Sequence, residues 1–209
     1  METYKNTNKG LVLVINNYKF RSVPDRTYSS KDSIELLMLL FNLGYSVDIK
    51  SNLSIPDILK CMEEFTLDPR HEFSDSTIVV LMSYGYGKDI YGSDENCIDL
   101  YKIHKILDKC YFLLNKPKIF IVHSCNPSNQ YKFFMHPEVD ADNIIYYNCT
   151  SVLDENGGSL FISTLCKVLD SDNDIMSLIT EINDSLVRNY HFTIVPFNHF
   201  TLRKKLYLK

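Results

Sequence analysis

The feature that most constrains the fold is a series of short apolar runs that alternate with longer segments of helical periodicity. Most of the runs are continuously apolar, which is typical of strands that are buried on both faces. The predicted strands are Leu11–Ile15, Tyr45–Ile49, Thr77–Met82, Lys118–Val122, Ile144–Tyr147 and Phe197–Leu202. The predicted helices are Asp32–Phe41, Ser54–Phe65, Ile98–Leu107, Leu160–Leu169 and Asp174–Val187. This alternation predicts an α/β fold with a mostly parallel six-stranded sheet and helices on both faces.

Length and charge narrow the class of protein. The 209 residues suit one domain, and 45% hydrophobic residues are enough for a full core. A formal net charge of −4 lacks the basic excess typical of nucleic-acid or anionic-membrane binding. The apolar runs are far shorter than a membrane span, and the first residues, Met-Glu-Thr-Tyr-Lys-Asn, have no apolar signal core. We therefore expect no membrane or nucleic-acid partner and a cytoplasmic location.

Metal and cofactor motifs are missing from the sequence. The six cysteines form no Cys-x-x-Cys pair, and the six histidines form no His-x-x-x-His pair. No glycine-rich phosphate loop of the Walker or dinucleotide type is present. We expect reduced thiols, no bound metal and no cofactor.

Two strand ends are the expected location of the chemistry. In open parallel sheets the working loops follow the carboxyl ends of the strands. Ser83-Tyr84-Gly85 follows one apolar run, and His123-Ser124-Cys125 follows another. A cysteine at such a position is a candidate nucleophile, although a lone cysteine is more often a small buried hydrophobic residue.

Motifs spread over nearly the whole chain resemble the landmarks of the caspase family, in the same order. They are Gly10-Leu-Val-Leu-Val-Ile-Asn-Asn17, Ser83-Tyr84-Gly85, Lys116-Pro-Lys-Ile-Phe-Ile-Val-His-Ser-Cys125, Gly158-Ser-Leu-Phe-Ile162 and Lys204-Lys-Leu-Tyr-Leu208. The resemblance implies a three-layer caspase-like sandwich and a cysteine nucleophile at Cys125. It also implies a single domain over residues 1–209, with a large-subunit-like part at 1–140 and a small-subunit-like part at 141–209.

The catalytic positions implied by the resemblance depart from the family pattern. Tyr84 stands where caspases carry the histidine that assists the thiol, 41 residues before Cys125 and beside Gly85. A phenol titrates near 10 and cannot relay a proton at neutral pH as an imidazole does. Two histidines could substitute: His123, two residues before the cysteine on the same side of the strand, and His71, which falls at the other end of the sheet.

The substrate pocket is expected to be incomplete as well. Arg26 matches one of the two arginines that hold the substrate aspartate, and His123 occupies the place of the pocket glutamine. The loop 149–158, which matches the source of the second arginine, contains no arginine or lysine and adds Asp154 and Glu155. Pro127 follows Asn126 where the family has glycine, and proline fixes φ and lacks an N–H donor.

These departures predict a pseudoenzyme that acts by association. By the resemblance, the last strand pairs with its twin across a dimer axis, which implicates Phe197, Asn198, His199, Phe200 and Thr201. We expect a caspase-like decoy that is not an enzyme and that regulates apoptosis by binding caspases or itself, with inhibition favoured. The alternatives are an activator of a partner caspase, and an active endopeptidase that cleaves after aspartate with Cys125 and His123.

Two further expectations concern processing and origin. The segment between the two subunit-like parts contains Pro137-Glu-Val-Asp140 before Ala141, which resembles a caspase target and makes Asp140 a possible cleavage site. The plain alternative is an acidic solvated loop. A composition rich in Asn, Ile, Lys and Tyr fits an AT-rich genome, which suggests a viral origin.

Overall fold

The six apolar runs form one sheet, in which the strands lie in the order Ser46–Ser51, Leu11–Asn16, Thr77–Tyr86, Lys118–Cys125, Asn143–Asn148 and Phe197–Phe200. A computed structural model describes residues 2–126, 142–148, 152–190 and 196–209. Its strands are β1 (Leu11–Asn16), β2 (Ser46–Ser51), β3 (Thr77–Tyr86), β4 (Asp89–Tyr91), β5 (Cys97–Asp99), β6 (Lys118–Cys125), β7 (Asn143–Asn148) and β8 (Phe197–Phe200). Its helices are α1 (Ser29–Asn42), α2 (Ile55–Thr66), α3 (Leu100–Asp108), α4 (Leu160–Leu169) and α5 (Ile175–Tyr190).

Most neighbouring strands run parallel, as the continuous apolar runs predict. The pairs β1–β2, β1–β3, β3–β6 and β6–β7 are parallel, and the edge strand β8 pairs antiparallel with β7. Alternate side chains of the central strands fill two cores. One core packs against α1, α4 and α5, and the other packs against α2 and α3. This arrangement confirms the predicted α/β fold with helices on both faces of the sheet.

The helix starts follow the capping residues that the sequence supplies. The Ser54 side chain accepts a hydrogen bond from the Asp57 N–H at the start of α2, where Pro56 is tolerated. The Ser159 side chain accepts from the Ile162 N–H at the start of α4. At the end of α1, Gly44 has a φ of +90°, a conformation that favours glycine, and the chain turns there into β2.

Two segments differ from those predicted. The segment expected to open a helix at Ile98 instead forms β5, and β4 and β5 make a hairpin that extends the end of β3. The last strand was expected to reach Leu202 but ends at Phe200. Thr201 instead ties the chain to the start of β7, because its N–H donates to the Asn143 carbonyl over 2.9 Å.

The register of β3 and β6 brings the two predicted motifs together. Tyr84 lies beside Cys125, Ser83 beside Ser124, and Met82 beside His123. Gly85 is required at this crossing, since a Cβ there would lie 2.1 Å from Ser124 Oγ and 2.6 Å from the Asp89 carbonyl oxygen. The carboxyl ends of the two central strands therefore form one site. In the described part of the chain, no helix has the length and apolarity to cross a membrane.

Candidate active site

Cys125 is the last residue of β6, and its side chain is enclosed by three polar groups. The residue is 0% exposed to solvent. Its Sγ lies 3.3 Å from the Tyr28 hydroxyl, 3.5 Å from His123 Nε2 and 4.0 Å from Arg26 Nη2. The thiol thus sits at the predicted place in the sheet, but beneath a cover built by the segment that leads into α1.

Arg26 is the centre of this cover. Its Nη1 donates to the Asn17 carbonyl over 2.9 Å, and its Nε donates to the Tyr28 hydroxyl over 3.3 Å. The guanidinium also lies 5.4 Å from the Tyr28 ring centroid and 5.8 Å from that of Tyr84, which are cation–π distances. Burial acts to lower the pKa of Arg26, but the neighbouring Cys125 and Tyr28 outweigh it and raise that pKa. Arg26 is expected in the substrate pocket, and the structure places its guanidinium beside Cys125.

Tyr84 faces the cover rather than the thiol. Its hydroxyl donates to the Pro24 carbonyl over 2.8 Å, and its ring lies 4.9 Å from the Phe20 ring. Burial raises the pKa of the Tyr84 phenol, so the hydroxyl stays protonated at neutral pH. Tyr84 therefore holds residues 20–26 over the site and has no proton-accepting role there.

His123 touches the thiol, but its surroundings suit a neutral ring. Burial, with Arg26 as the second cause, lowers the pKa of His123 to about 3. Its Nδ1 lies 3.0 Å from Asn148 Nδ2, an amide donor, which leaves the ring proton on Nε2, facing the sulfur. The Phe161 ring stacks on the imidazole at 5.5 Å. In this arrangement His123 donates to Cys125 rather than accepting its proton.

His71, the other histidine considered as a base, lies at the far end of the sheet. It belongs to a short 3-10 helix, Pro69–Glu72, that precedes β3, whereas Cys125 lies at the carboxyl end of the sheet. Its Nε2 is 2.9 Å from the Phe65 carbonyl oxygen, and its ring packs edge-on against Phe65. His71 is therefore a packing residue, as its position in the sequence predicts.

Three neighbours of the site were not predicted from the sequence: Tyr28, Asn148 and Asp32. Asp32 is buried on α1, and its Oδ1 accepts from the Ser159 N–H over 2.7 Å. Burial raises the pKa of Asp32, while His123, Ser159 and Arg26 oppose that rise. Of the three, only Tyr28 could be placed near the site from the sequence, because it lies two residues after Arg26. The other two depend on contacts made through β7 and α4.

The loop that matches the source of the second pocket arginine is described only from residue 152. Asp154 accepts from the N–H groups of Asn156 and Gly158, so its carboxylate closes a turn within the loop. Lys31 of α1 donates to the Asn156 carbonyl over 2.7 Å and brings a positive charge that the loop itself lacks. Pro127 and the possible cleavage site Asp140 lie outside the described residues.

The predicted dimer strand is the edge of the sheet. Phe197, Asn198 and His199 are partly buried in β8, and Phe200 is 49% exposed. Thr201 lies beyond the strand and accepts from the Asn143 N–H through its hydroxyl. Four of the five predicted interface residues therefore belong to the edge strand itself.

The cover over Cys125 limits the reactions that its thiol can carry out. A nucleophile must approach a carbonyl carbon to about 3–3.5 Å, and the covered thiol leaves no room for that contact until Arg26 and Tyr28 move. Within residues 2–126, 142–148, 152–190 and 196–209, no three His, Cys, Asp or Glu side chains come together as metal ligands.

Comparison with known proteins assigns the family. Residues 9–207 match the family model described as Peptidase C14, caspase domain. Mouse caspase-1 is 34% identical over 59% of this chain and 33% of its own length, and Xenopus laevis caspase-1-A is 28% identical over 96% of this chain and 62% of its own. Pig caspase-1 is 35% identical over 57% of this chain and 31% of its own. The chain thus spans about a third to three fifths of these relatives.

The match also corrects one expectation. The sequence departures at Tyr84 and in loop 149–158 led us to expect that the chain is not an enzyme. That expectation is wrong, because the matched family is one of peptidases and the relatives matched at 34–35% identity are caspases. With the covered thiol at the end of β6 and the family model spanning nearly all residues, the chain belongs to the caspase family.

Proposed function

We propose that this caspase-family chain regulates apoptosis by associating with active caspases through β8, and that the association inhibits them. The observation that carries the proposal is the state of this edge strand. Among the described strands β8 has β7 as its one neighbour, and its side chains are two phenylalanines, an asparagine and a histidine. An uncharged, unprotected edge is a template for pairing with another chain.

Strand pairing provides both affinity and choice of partner. Backbone hydrogen bonds along β8 would supply affinity, and alternate side chains would supply specificity. Phe200 presents its half-exposed ring to such a partner. His199 pairs with Ile145 and Phe197 with Tyr147, so β7 fixes the register in which β8 is presented.

The covered thiol supports inhibition, and not activation, of the partner caspase. When this chain takes the place of one caspase subunit, the pair contains a site in which Arg26 and Tyr28 must move before Cys125 can react. This pair should then hydrolyse less substrate than a pair of two active caspase subunits. An activating effect would require that this chain improve its partner's own site.

A charge placed on β8 tests the proposal. Phe200→Asp should weaken association with a purified active caspase by about a hundredfold or more, because a buried unpaired charge costs several kcal/mol. Ser46→Asp is the matched control, since it adds the same charge to the exposed start of β2 at the other edge of the sheet. Both variants should melt like wild type. Equal loss of binding in both, or in neither, would refute β8 as the surface.

Cysteine endopeptidase activity after aspartate is the second candidate, and the contacts of Cys125 favour it. By the resemblance Cys125 stands at the family's nucleophile position, and the Arg26 guanidinium lies 4.0 Å from its Sγ. His123 is in contact, although its low pKa argues against proton transfer to its ring. Hydrolysis of an aspartyl peptide by wild type but not by Cys125→Ser would support this activity. Turnover that survives Cys125→Ser would exclude Cys125 as the nucleophile.

A further inference from the structure

Helix α1 carries an apolar stripe on the side that faces away from the protein. Its members are Ile34, Leu37, Met38 and Phe41, which are 58%, 38%, 61% and 71% exposed. Their spacing places them on one face over two helical turns. The opposite face of α1 is also apolar, with Leu36, Leu39 and Leu40 in the core.

No charged side chain belongs to the outward face of α1. The other exposed residues of the helix are Ser30 and Asn42. Asp32 is buried, Glu35 is half-buried, and Lys31 reaches across to the Asn156 carbonyl. A surface helix is normally polar on its outer side, and one that is apolar all round is normally buried.

Other helices of the same chain follow the usual rule. The exposed residues of α2 include Asp57, Lys60, Glu63 and Glu64. The exposed residues of α5 include Glu181, Asp184 and Arg188. The apolar outer face is therefore specific to α1 and does not reflect the composition of the chain as a whole.

We propose that the stripe of α1 packs against the stripe of a second copy of this chain, antiparallel across a two-fold axis. Such an interface brings each residue near its own counterpart, so charges on it would repel and an uncharged face can approach closely. At about 200 Å² for each large side chain, the exposed fractions amount to about 450 Å² of apolar surface per copy. Two copies would bury about 900 Å² of the stripe together, which with its rim suits a weak, concentration-dependent dimer.

The geometry of the pair follows from the centre of the stripe. An axis passing between Leu37 and Met38 sets these residues against their own copies, and Ile34 against Phe41 of the second copy. Antiparallel helices also oppose their dipoles, which is favourable. A membrane surface fits less well, because interfacial helices carry several flanking Lys and Arg residues, whereas α1 has one, Lys31, which is bound to the Asn156 carbonyl.

This interface is separate from the association at β8. The stripe lies on a helix that covers one face of the sheet, whereas β8 is an edge of that sheet. The inference therefore goes beyond the proposed function and can fail without affecting it.

Sedimentation equilibrium of the full chain tests the inference. Wild type should dimerise increasingly as its concentration rises to about 100 μM, and Met38→Glu should raise the dissociation constant at least about tenfold. Leu67→Glu is the matched control, since Leu67 is an exposed leucine at the end of α2, and it should dimerise like wild type. Mixing Met38→Glu with Met38→Lys should restore the dimer, because the two positions meet at the axis.

Three results would overturn the inference. They are a wild-type chain that stays monomeric at about 100 μM, equal disruption by Leu67→Glu, and a dimer that Phe200→Asp dissolves while Met38→Glu does not. Should Met38→Glu fail to fold, Phe41→Glu makes the same test at the more exposed end of the stripe.

Discussion

Replacing Tyr28 by phenylalanine should open the cover over Cys125 without removing the ring that packs on Arg26. The Tyr28 hydroxyl makes one contact that must break when the cover opens, because it lies 3.3 Å from Cys125 Sγ. Its other contact, a hydrogen bond accepted from Arg26 Nε at 3.3 Å, joins two residues of the cover. Each such hydrogen bond is worth about 1 kcal/mol. The loss of the contact with Cys125 should therefore favour opening by about 1 kcal/mol, which is about fivefold in the opening equilibrium.

Alkylation by iodoacetamide, followed by peptide mass spectrometry, measures this equilibrium. A buried thiol reacts through its open state, so its rate scales with the opening constant. Cys125 in Tyr28→Phe should therefore react about fivefold faster than in wild type. Two other thiols calibrate the result, since Cys97 is exposed and Cys110 is buried in the core beside α3.

The two other thiols and a control variant distinguish opening of the cover from unfolding of the whole chain. Cys97 should react at the same rate in both proteins, and an unchanged Cys110 rate shows that global unfolding is not the route. Tyr111→Phe, which changes an exposed tyrosine before the start of β6, at the other end of that strand from Cys125, should leave Cys125 at its wild-type rate. If Cys125 in Tyr28→Phe also reacts at the wild-type rate, the hydroxyl does not hold the cover closed.

Further predictions concern pH, packing and the thiol. Because the pKa of His123 falls from 6.5 to about 3 on folding, the unfolded state binds the extra proton, and stability should decrease as pH falls from about 6.5 to 3. Urea unfolding of wild type and His123→Gln should show a weaker pH dependence for the variant, and equal dependence would contradict the assignment. Gly85→Ala should lower the free energy of unfolding by about 2–3 kcal/mol through overpacking, seen as a melting temperature lower by about 5–10 °C. An unchanged melting temperature would argue against the close approach of Gly85 to Ser124. Cys125→Ser should keep caspase association while losing any aspartyl-peptide hydrolysis, and loss of association would show that the thiol has a role in binding.

The fold could be predicted because local signals and burial agree along most of the chain. The Ser54 cap, the glycine after α1 and the continuous apolar strands each specify one element, and the structure forms them. The β4–β5 hairpin could not be predicted in this way. Its strands are three residues long and stabilised by pairing with the end of β3, a contact that periodicity does not encode.

The site could be located from the sequence, but its state could not. The strand ends placed Tyr84 beside Cys125, and the resemblance placed Arg26 with them. Whether Arg26 faces an open pocket or packs on the thiol depends on its hydrogen bonds with the Asn17 carbonyl and the Tyr28 hydroxyl, which periodicity does not encode. Likewise, the low pKa of His123 results from complete burial, which no two-residue spacing reveals.

The central claim is that this chain binds active caspases through β8 and lowers their activity. The most direct test is a titration of the purified chain into a purified active caspase, with turnover of a fluorogenic aspartyl peptide as the readout. If the chain inhibits through β8, peptide turnover should fall in a saturable manner when wild type or Ser46→Asp is added. Addition of Phe200→Asp should leave turnover unchanged. Turnover that stays constant or rises with wild type would contradict inhibition, and turnover that falls equally with Phe200→Asp would contradict β8 as the binding surface.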